Sequence, residues 1–427
     1  MLRLARLALL SLLALACGPA PAERPPDVVL IELSSVRADH VGHLGYALPT
    51  SRGLDGLRDR SVLFAAARSP SSSSVVASAG LLTGLLPTRL GFGGPAPRLP
   101  ADVPTLAARL RAAGWTTVGH SQHAGIGTAS ALDRGFDVFH AANAPPGEHP
   151  DARLLVDWMR EWLSVEAPSP FFLYLHVMSA HAPYRVPADR RSALLGRPPS
   201  DAMPYDGPLA RAARRPGRRR AADAVGEREV ASLVEHYDTA LRYGFDRTGQ
   251  MLALLDQAGR LDGAIVVVTS DHGEELFDRG GFDHGRTLHE EVLRVPLYWK
   301  LPGDRGGAPR RIDAPVSTLD VMPTLLDWLG LPVPESDGVS LLPLLRGEVD
   351  APPERPFPHV IAGSGAQSLV RALHHGRHKL IDTPGRPALY DLALDPGERE
   401  NLADGSTDTV RALRRTLNEV LPPAAAP

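Results

Sequence analysis

The chain has 427 residues, 43% of them hydrophobic and 22% charged, with a formal net charge of -3. That balance is an ordinary globular one, against a disordered or fibrous protein, and the charge is too near neutral to argue for a nucleic-acid or membrane-surface binder. The length fits one α/β domain with a smaller appendage better than three separate domains.

The N-terminus reads as an export signal. Arg3 and Arg6 precede an apolar run over residues 7–16, the charged and apolar regions of a signal peptide. The run is too short to span a bilayer. It ends at Cys17, the only cysteine in the chain. Leu-Ala-Leu-Ala-Cys at 13–17 resembles the lipobox of bacterial lipoproteins, and a lone cysteine there has no disulfide partner. Residues 1–17 are therefore expected to be a lipoprotein-type signal and 18–26, small and Pro-rich, a tether. The expected location is the bacterial cell envelope, periplasm or outer membrane, with the lipid on Cys17 as the one membrane contact. The processed chain would hold no other thiol, so no disulfide and no cysteine metal site.

Beyond the tether, 28–33 is an apolar run that reads as a buried strand. Helical spacing follows over 104–113, a strand over 115–118, an amphipathic helix over 152–165 and a strand over 171–177. A long helical stretch over 230–259 leads into an apolar strand over 264–269. Strands alternating with helices predict a mostly parallel central sheet between helices. Residues 187–227, with an arginine run at 214–220, read as an inserted, solvated loop, and 301–312 as a shorter polar loop. Near 348 the pattern changes to short segments such as 368–373 and 379–382, which predict a small C-terminal α+β subdomain. The expected organisation is thus an α/β domain over 27–347 and a subdomain over 348–427. Lysine occurs only at Lys300 and Lys379, so nearly all positive charge is arginine, spread along the chain as a compositional bias.

Four stretches carry a family likeness. They are Val-Val-Leu-Ile-Glu-Leu-Ser-Ser-Val-Arg-Ala-Asp-His-Val-Gly at 28–42, Ser74 to Leu-Leu-Thr-Gly at 81–84, Thr-Ser-Asp-His-Gly-Glu at 269–274 with His284-Gly285 and Arg294-Val295-Pro296 beyond, and Leu-Tyr-Asp-Leu-Ala-Leu-Asp-Pro-Gly-Glu-Arg-Glu-Asn-Leu at 389–402. His176, His181-Ala182-Pro183-Tyr184 and Asp320 to Leu325 lie between them. In this order they resemble the sulfatase branch of the alkaline phosphatase superfamily, over nearly the whole mature chain. The resemblance implies an alkaline phosphatase-like fold and hydrolysis of a sulfuric or phosphoric ester. It also implies one divalent cation held by hard oxygen ligands at the strand ends. Asp271 and His272 match the family's metal-binding pair. His181 and His284 match histidines that contact the anion or protonate the leaving group. Arg37 and Asp39 are expected to brace the first loop, and His176 to be a packed strand histidine.

Two positions depart from the family pattern. Ser34 stands where the first strand normally ends in an acidic metal ligand, and a hydroxyl is the poorer ligand for a hard dication. Glu32, two residues earlier on the same strand face, either reaches forward or pairs with an arginine, the commoner fate of a buried glutamate. Ser74 stands at the nucleophile, where the family makes formylglycine within a Cys/Ser-x-Pro-x-Arg motif. The proline and arginine are absent from Val75-Val76-Ala77-Ser78, so Ser74 is expected to stay an ordinary serine. Gln122, next to His123, falls where the family often places a lysine on the sulfate. The cation, if one binds, is calcium, magnesium, manganese or zinc, with Ser34 as a weak third ligand.

These departures leave two main functions open. One is a sulfatase-like hydrolase acting on an anionic ester, with Ser74, His181 and His284 as catalytic residues. Phosphoryl transfer suits a plain serine better than sulfate cleavage does, because a serine sulfate cannot collapse to an aldehyde. The other is an envelope-anchored binding protein that keeps the fold without turnover. An envelope phosphotransferase acting on lipid or glycan head groups is a third reading that no residue specifies. Nucleic acid is not expected as a partner.

Overall fold

The computed structural model describes residues 24–92, 97–142, 150–165, 167–200, 225–303, 308–361, 370–383 and 385–422. Cys17 with its apolar run, and the arginine run at 214–220, lie outside the described residues.

The strands in chain order are β1 Val28–Leu33, β2 Val62–Arg68, β3 Thr116–Ser121, β4 Val138–Ala141, β5 Phe171–Val177, β6 Ile265–Ser270, β7 Glu275–Leu276, β8 Phe282–Asp283, β9 Arg294–Lys300, β10 Arg310–Ile312 and β11 Val316–Ser317. A second group follows: β12 Phe357–Ile361, β13 Val370–His375, β14 His378–Asp382 and β15 Ala388–Asp391. The main helices are α1 Ser74–Thr83, α2 Leu106–Ala112, α3 Arg153–Ser164, α4 Glu227–Gln257, α5 Val321–Trp328 and α6 Thr407–Val420.

The main sheet runs β10-β2-β9-β6-β1-β5-β3-β4, with β11 also on β2. β1 lies parallel between β5 and β6, and β3 and β4 continue the parallel set. β9 is the antiparallel member, between β2 and β6. The sheet is thus mostly parallel, as the alternation of strands and helices requires, and β1 is buried along its whole length.

Side chains alternate between the faces of a strand, so β1 feeds two cores. Val28 and Leu30 pack with Val76 and Ala79 of α1, Leu106 and Leu110 of α2, and Leu325 of α5. Val29, Ile31 and Leu33 pack with Leu155 and Met159 of α3 and Tyr237, Leu241 and Phe245 of α4. α1 ends at Gly84, whose φ of 68 places it in the left-handed region. A Cβ there would lie 2.6 Å from Ser336 Oγ, so glycine suits this turn on two counts.

The C-terminal antiparallel sheet, β12-β13-β14-β15, packs Val360, Leu373, Leu380 and Leu389 against Val410, Leu413 and Leu417 of α6. Buried charges tie it to the main body. Lys379 Nζ lies 3.0 Å from Glu290 Oε1 and 2.8 Å from Glu398 Oε1, and Arg68 Nη2 lies 2.8 Å from Glu290 Oε2. The other lysine, Lys300, gives its ammonium to the carbonyls of Leu261, Asp262 and Ala264. Both lysines are buried, where a compact charge with three rotatable donors meets several acceptors, a task unsuited to arginine's flat fork.

Candidate active site

The C-terminal ends of β1, β5 and β6 converge, and open α/β sheets bind ligands at such ends. Asp271 follows β6 directly, and its amide continues the ladder by donating to Leu33 O at 3.1 Å. Its carboxylate organises the turn after β1. Oδ1 accepts from Ser35 N at 2.9 Å and from His272 N at 2.7 Å, and Oδ2 accepts from Ser34 Oγ at 3.0 Å. Burial opposes the charge of Asp271. His272, His176 and the Ser35 amide overcome that, and its pKa lies below the ordinary carboxylate range. Ser34 therefore spends its hydroxyl proton on Asp271.

Ser74 is the first residue of α1, at the helix end where amides point outward. Its Oγ lies 2.9 Å from His272 Nε2. On the other side of that ring, Nδ1 lies 2.7 Å from Gly273 O. A carbonyl only accepts, so Nδ1 carries the proton and Nε2 offers a lone pair to the Ser74 hydroxyl. Burial lowers the His272 pKa to about 4, which keeps this ring neutral at physiological pH.

His284 has the opposite character. Its Nδ1 lies 2.9 Å from Glu274 Oε1 and 3.1 Å from Asp283 Oδ1. Burial works against its charge, but Glu274 and Asp283 raise its pKa to about 9, so it stands as an imidazolium. Glu274 is fully buried and also accepts from Tyr184 OH at 3.0 Å. The His284 ring lies 4.2 Å from that of His272 and 4.9 Å from that of His181. His181 donates from Nδ1 to Ala182 O at 2.7 Å, which fixes its tautomer. It opens onto a groove of about 310 Å³ lined also by Arg185, Arg191, Asp151 and Tyr243.

The six residues singled out in the sequence, Ser34, Ser74, His181, Asp271, His272 and His284, thus meet at one end of the sheet. Arg37 stands aside as a brace, with Nη2 2.8 Å from Asp39 and Nη1 2.7 Å from Asp278. Gln122 is also structural: its amide donates to Pro150 O and Asp151 O, each at 3.1 Å, and accepts from Met178 N at 3.1 Å. Glu32 corrects the expectation of an arginine partner. Its Oε2 accepts from Tyr174 OH at 2.6 Å and Ser78 Oγ at 2.9 Å, and among the described residues Oε1 has no hydrogen-bond partner. Sequence reasoning assigned no role to Glu274 and Tyr184. Glu274 stood inside the Asp-His-Gly-Glu motif, but its partner His284 comes from the far side of the β7–β8 hairpin.

The donors can be weighed against a divalent cation. Asp271 is a suitable ligand, whereas Ser34 is engaged with it and His272 Nε2 faces the Ser74 hydroxyl. Among the described residues Glu32 Oε1 and both ring nitrogens of His176 are also buried without hydrogen-bond partners, but Glu32, His176 and Asp271 do not form a group whose ligand atoms all lie within 4.8 Å of one another. One group among the described residues does so: Glu274, Asp283 and His284 bring one ligand atom each within 4.8 Å of one another and could hold a metal. There the imidazole Nδ1 donates to Glu274, so a metal would have to displace that proton.

The sheet and the polar cluster at its strand ends define an alkaline phosphatase-like protein. The chain belongs to the sulfatase family: the Sulfatase family model matches residues 26–331, and that of the N-sulphoglucosamine sulphohydrolase C-terminal region matches 278–422. It is 28% identical to arylsulfatase A of Homo sapiens, over 96% of this chain and 89% of the relative. It is 25% identical to a Delta 4,5-hexuronate-2-O-sulfatase of Bacteroides thetaiotaomicron, over 95% and 90%. Among solved structures, the phosphonate monoester hydrolase of Agrobacterium radiobacter superposes with a TM-score of 0.76 at 22% identity, over 92% of this chain and 95% of that one. By resemblance the protein is an ester hydrolase, and its family generally uses a divalent metal.

Proposed function

We propose that the protein hydrolyses a phosphoric monoester, and a sulfuric ester less well, with unmodified Ser74 as the nucleophile. The observation that carries this reading is the 2.9 Å contact between Ser74 Oγ and His272 Nε2. A hydroxyl paired with a neutral imidazole, whose other nitrogen is oriented by a third group, is an activated nucleophile. In the first step Ser74 gives its proton to His272 Nε2 as Oγ bonds to phosphorus. The bond to the leaving oxygen breaks, and that oxygen takes a proton from His284. Asp271 Oδ2, 3.5 Å from His272 Nε2, stabilises the imidazolium formed there. In the second step water attacks the phosphoserine and gives a proton to the now neutral His284. The Oγ–phosphorus bond breaks, and Ser74 recovers its proton from His272.

His284 as a cation and the amides of the first turn of α1 face the developing negative charge. A divalent cation beside Asp271, when bound, supplies further positive charge to the ester oxygens. His181, Arg185 and Arg191 line the groove from which an anionic ester approaches.

Binding without turnover is the second reading. It is favoured by one observation: Ser34 replaces a ligand carboxylate and spends its hydroxyl on Asp271. Turnover of aryl phosphate and aryl sulfate by the native chain and by Ser74→Ala separates the two. Turnover by the native chain that falls at least about 10³-fold in the variant supports the nucleophile. Equal rates in both remove it. Peptide mass spectrometry should find serine at 74, and formylglycine there would return sulfate esters to first place.

A further inference from the structure

Where the C-terminal region meets the main body, the chain encloses a pocket of about 290 Å³ outside the candidate active site. Its walls come from the loop after β1, the β7–β8 hairpin, the chain from Glu290 to Arg294, and the loop after β15. Four arginines and four carboxylates line it, and their pairing leaves a remainder. Arg37 takes both Asp39 and Asp278. Arg279 takes Glu291, with Nε 2.9 Å from Oε1, and donates to the carbonyls of Gly397 and Glu398, which ties the hairpin to the C-terminal loop. Glu290 is held by Arg68 and Lys379. Every carboxylate of the wall thus has a cation, whereas among the described residues Arg294 and Arg399 pair with no carboxylate.

Arg294 is the costlier of the two. It opens β9 and stands opposite Arg68 in the register with β2, a like-charge pair across two strands. Arg68 spends its fork on Glu290, but Arg294 only donates from Nε to Ala65 O at 2.9 Å. Burial lowers its pKa, the mark of a guanidinium stripped of water without an acid in exchange. Arg399 is exposed and reaches the same pocket from the loop after β15. We propose that the pocket binds a small tetrahedral oxyanion, phosphate or sulfate, between Arg294 of the main body and Arg399 of the C-terminal region. A guanidinium offers its donors as a planar fork that two oxygens of one anion satisfy. A carboxylate is used up by one such fork, whereas a tetrahedral anion has oxygens left for a second. The bound anion neutralises the remaining charge and closes the seam that Arg279 already ties.

The proposal holds whether or not an ester is cleaved, so its test does not use turnover. The full chain, native and variant, would be titrated calorimetrically with sodium phosphate and, separately, sodium sulfate, against sodium chloride of matched ionic strength. The candidate active site also faces anions, so variants separate the two places. Arg294→Gln should weaken one phosphate or sulfate site by at least about tenfold, because it removes charged donors from a buried position. Arg399→Gln should weaken the same site by about threefold, as its charge is exposed. His284→Gln, at the candidate active site, should leave it within about twofold. Binding of either anion there supports the proposal, and the tighter of the two identifies the ligand.

Circular dichroism identifies a variant that has not folded. For that case, crystals of the native protein soaked in tungstate provide a readout without substitutions, because its anomalous signal should lie beside Arg294 and Arg399. Four outcomes overturn the proposal: phosphate and sulfate bound by native protein no better than chloride, undiminished binding by Arg294→Gln and Arg399→Gln, loss of all anion binding in His284→Gln, or tungstate absent from the seam. The third would confine the anions to the candidate active site.

Discussion

At the scale of single residues, the two site histidines sit in opposite charge states for separable reasons. His272 is neutral because burial depresses it to about 4, and His284 is cationic because Glu274 and Asp283 hold it near 9. The proposed mechanism needs both states. Specific activity should fall as pH drops through about 4, where His272 gains a proton, and as pH rises through about 9, where His284 loses one. Glu274→Gln removes the first support of His284, so the alkaline limb should move down toward the ordinary imidazole value of about 6.5. A kcat/KM profile of both forms checks this, and an unmoved alkaline limb would assign it to another group. The same shift carries a stability statement. A pKa raised above the unfolded value stabilises the fold fully below about 6.5, and that contribution fades as pH rises through about 9. Much of this placement was legible in the sequence: Asp271 and His272 follow an apolar strand directly, and a strand end is where a sheet presents its ligands. The partner of Glu32 was not legible. Tyr174 comes from β5 and Ser78 from α1, and a burial pattern says that a glutamate is inside without saying what faces it.

Elements were legible where the period of the chain was unmixed. The strand expected at 171–177 forms over Phe171–Val177, and the helix expected at 152–165 forms over Arg153–Ser164. β9 escaped because Pro296 sits inside it, and proline argues against a central strand. The pairing of β2 with β9 explains how it is tolerated. The register shifts between Phe64 and Ala67, opposite Val295 to Leu297, so the missing amide falls at a bulge. The Pro296 carbonyl is still used, accepting from Thr269 Oγ1 at 2.9 Å. The joint between the two sheets was equally hidden, because Arg68, Glu290, Lys379 and Glu398 are scattered along the sequence. Its consequence can be measured. Lys379→Met keeps the bulk of the side chain and removes the charge that Glu290 and Glu398 share. Breaking a buried pair on one side strands the other, so the variant should lose about 3–5 kcal/mol of stability. A urea titration should show the lower midpoint, and an unchanged midpoint would mean that Arg68, His289 and Arg279 suffice for the two glutamates.

For the molecule as a whole, the direction of β1 relates the expected anchor to the site. β1 starts beside Asp27, whose carboxylate accepts from Phe171 N at 3.0 Å and pairs with Arg260 at 2.7 Å. Trp115 Nε1 donates to Pro26 O at 2.9 Å, so the chain enters the sheet at the end where β3 and β5 also begin. The candidate site lies at the other end of the same strands, about 20 Å away for a strand of this length. A lipid on Cys17, joined through residues 18–26, would keep the entry end within about 30 Å of the bilayer. With such an anchor we expect the groove beside His181 to open away from the bilayer. In that orientation a soluble anionic ester would be the expected substrate, rather than a head group of the anchoring leaflet. Changing Cys17→Ser should move the protein from the membrane fraction to the soluble one, and an unmodified Cys17 in the native protein would remove the anchor. Orientation needs its own measurement. Val165 is 74% exposed near the entry end, and Arg185 is exposed at the groove. With lipidated protein on vesicles, a dye on Val165→Cys should be quenched by acceptor-labelled lipid more strongly than a dye on Arg185→Cys. Stronger quenching at 185 would turn the groove toward the bilayer and bring lipid head groups back as substrates.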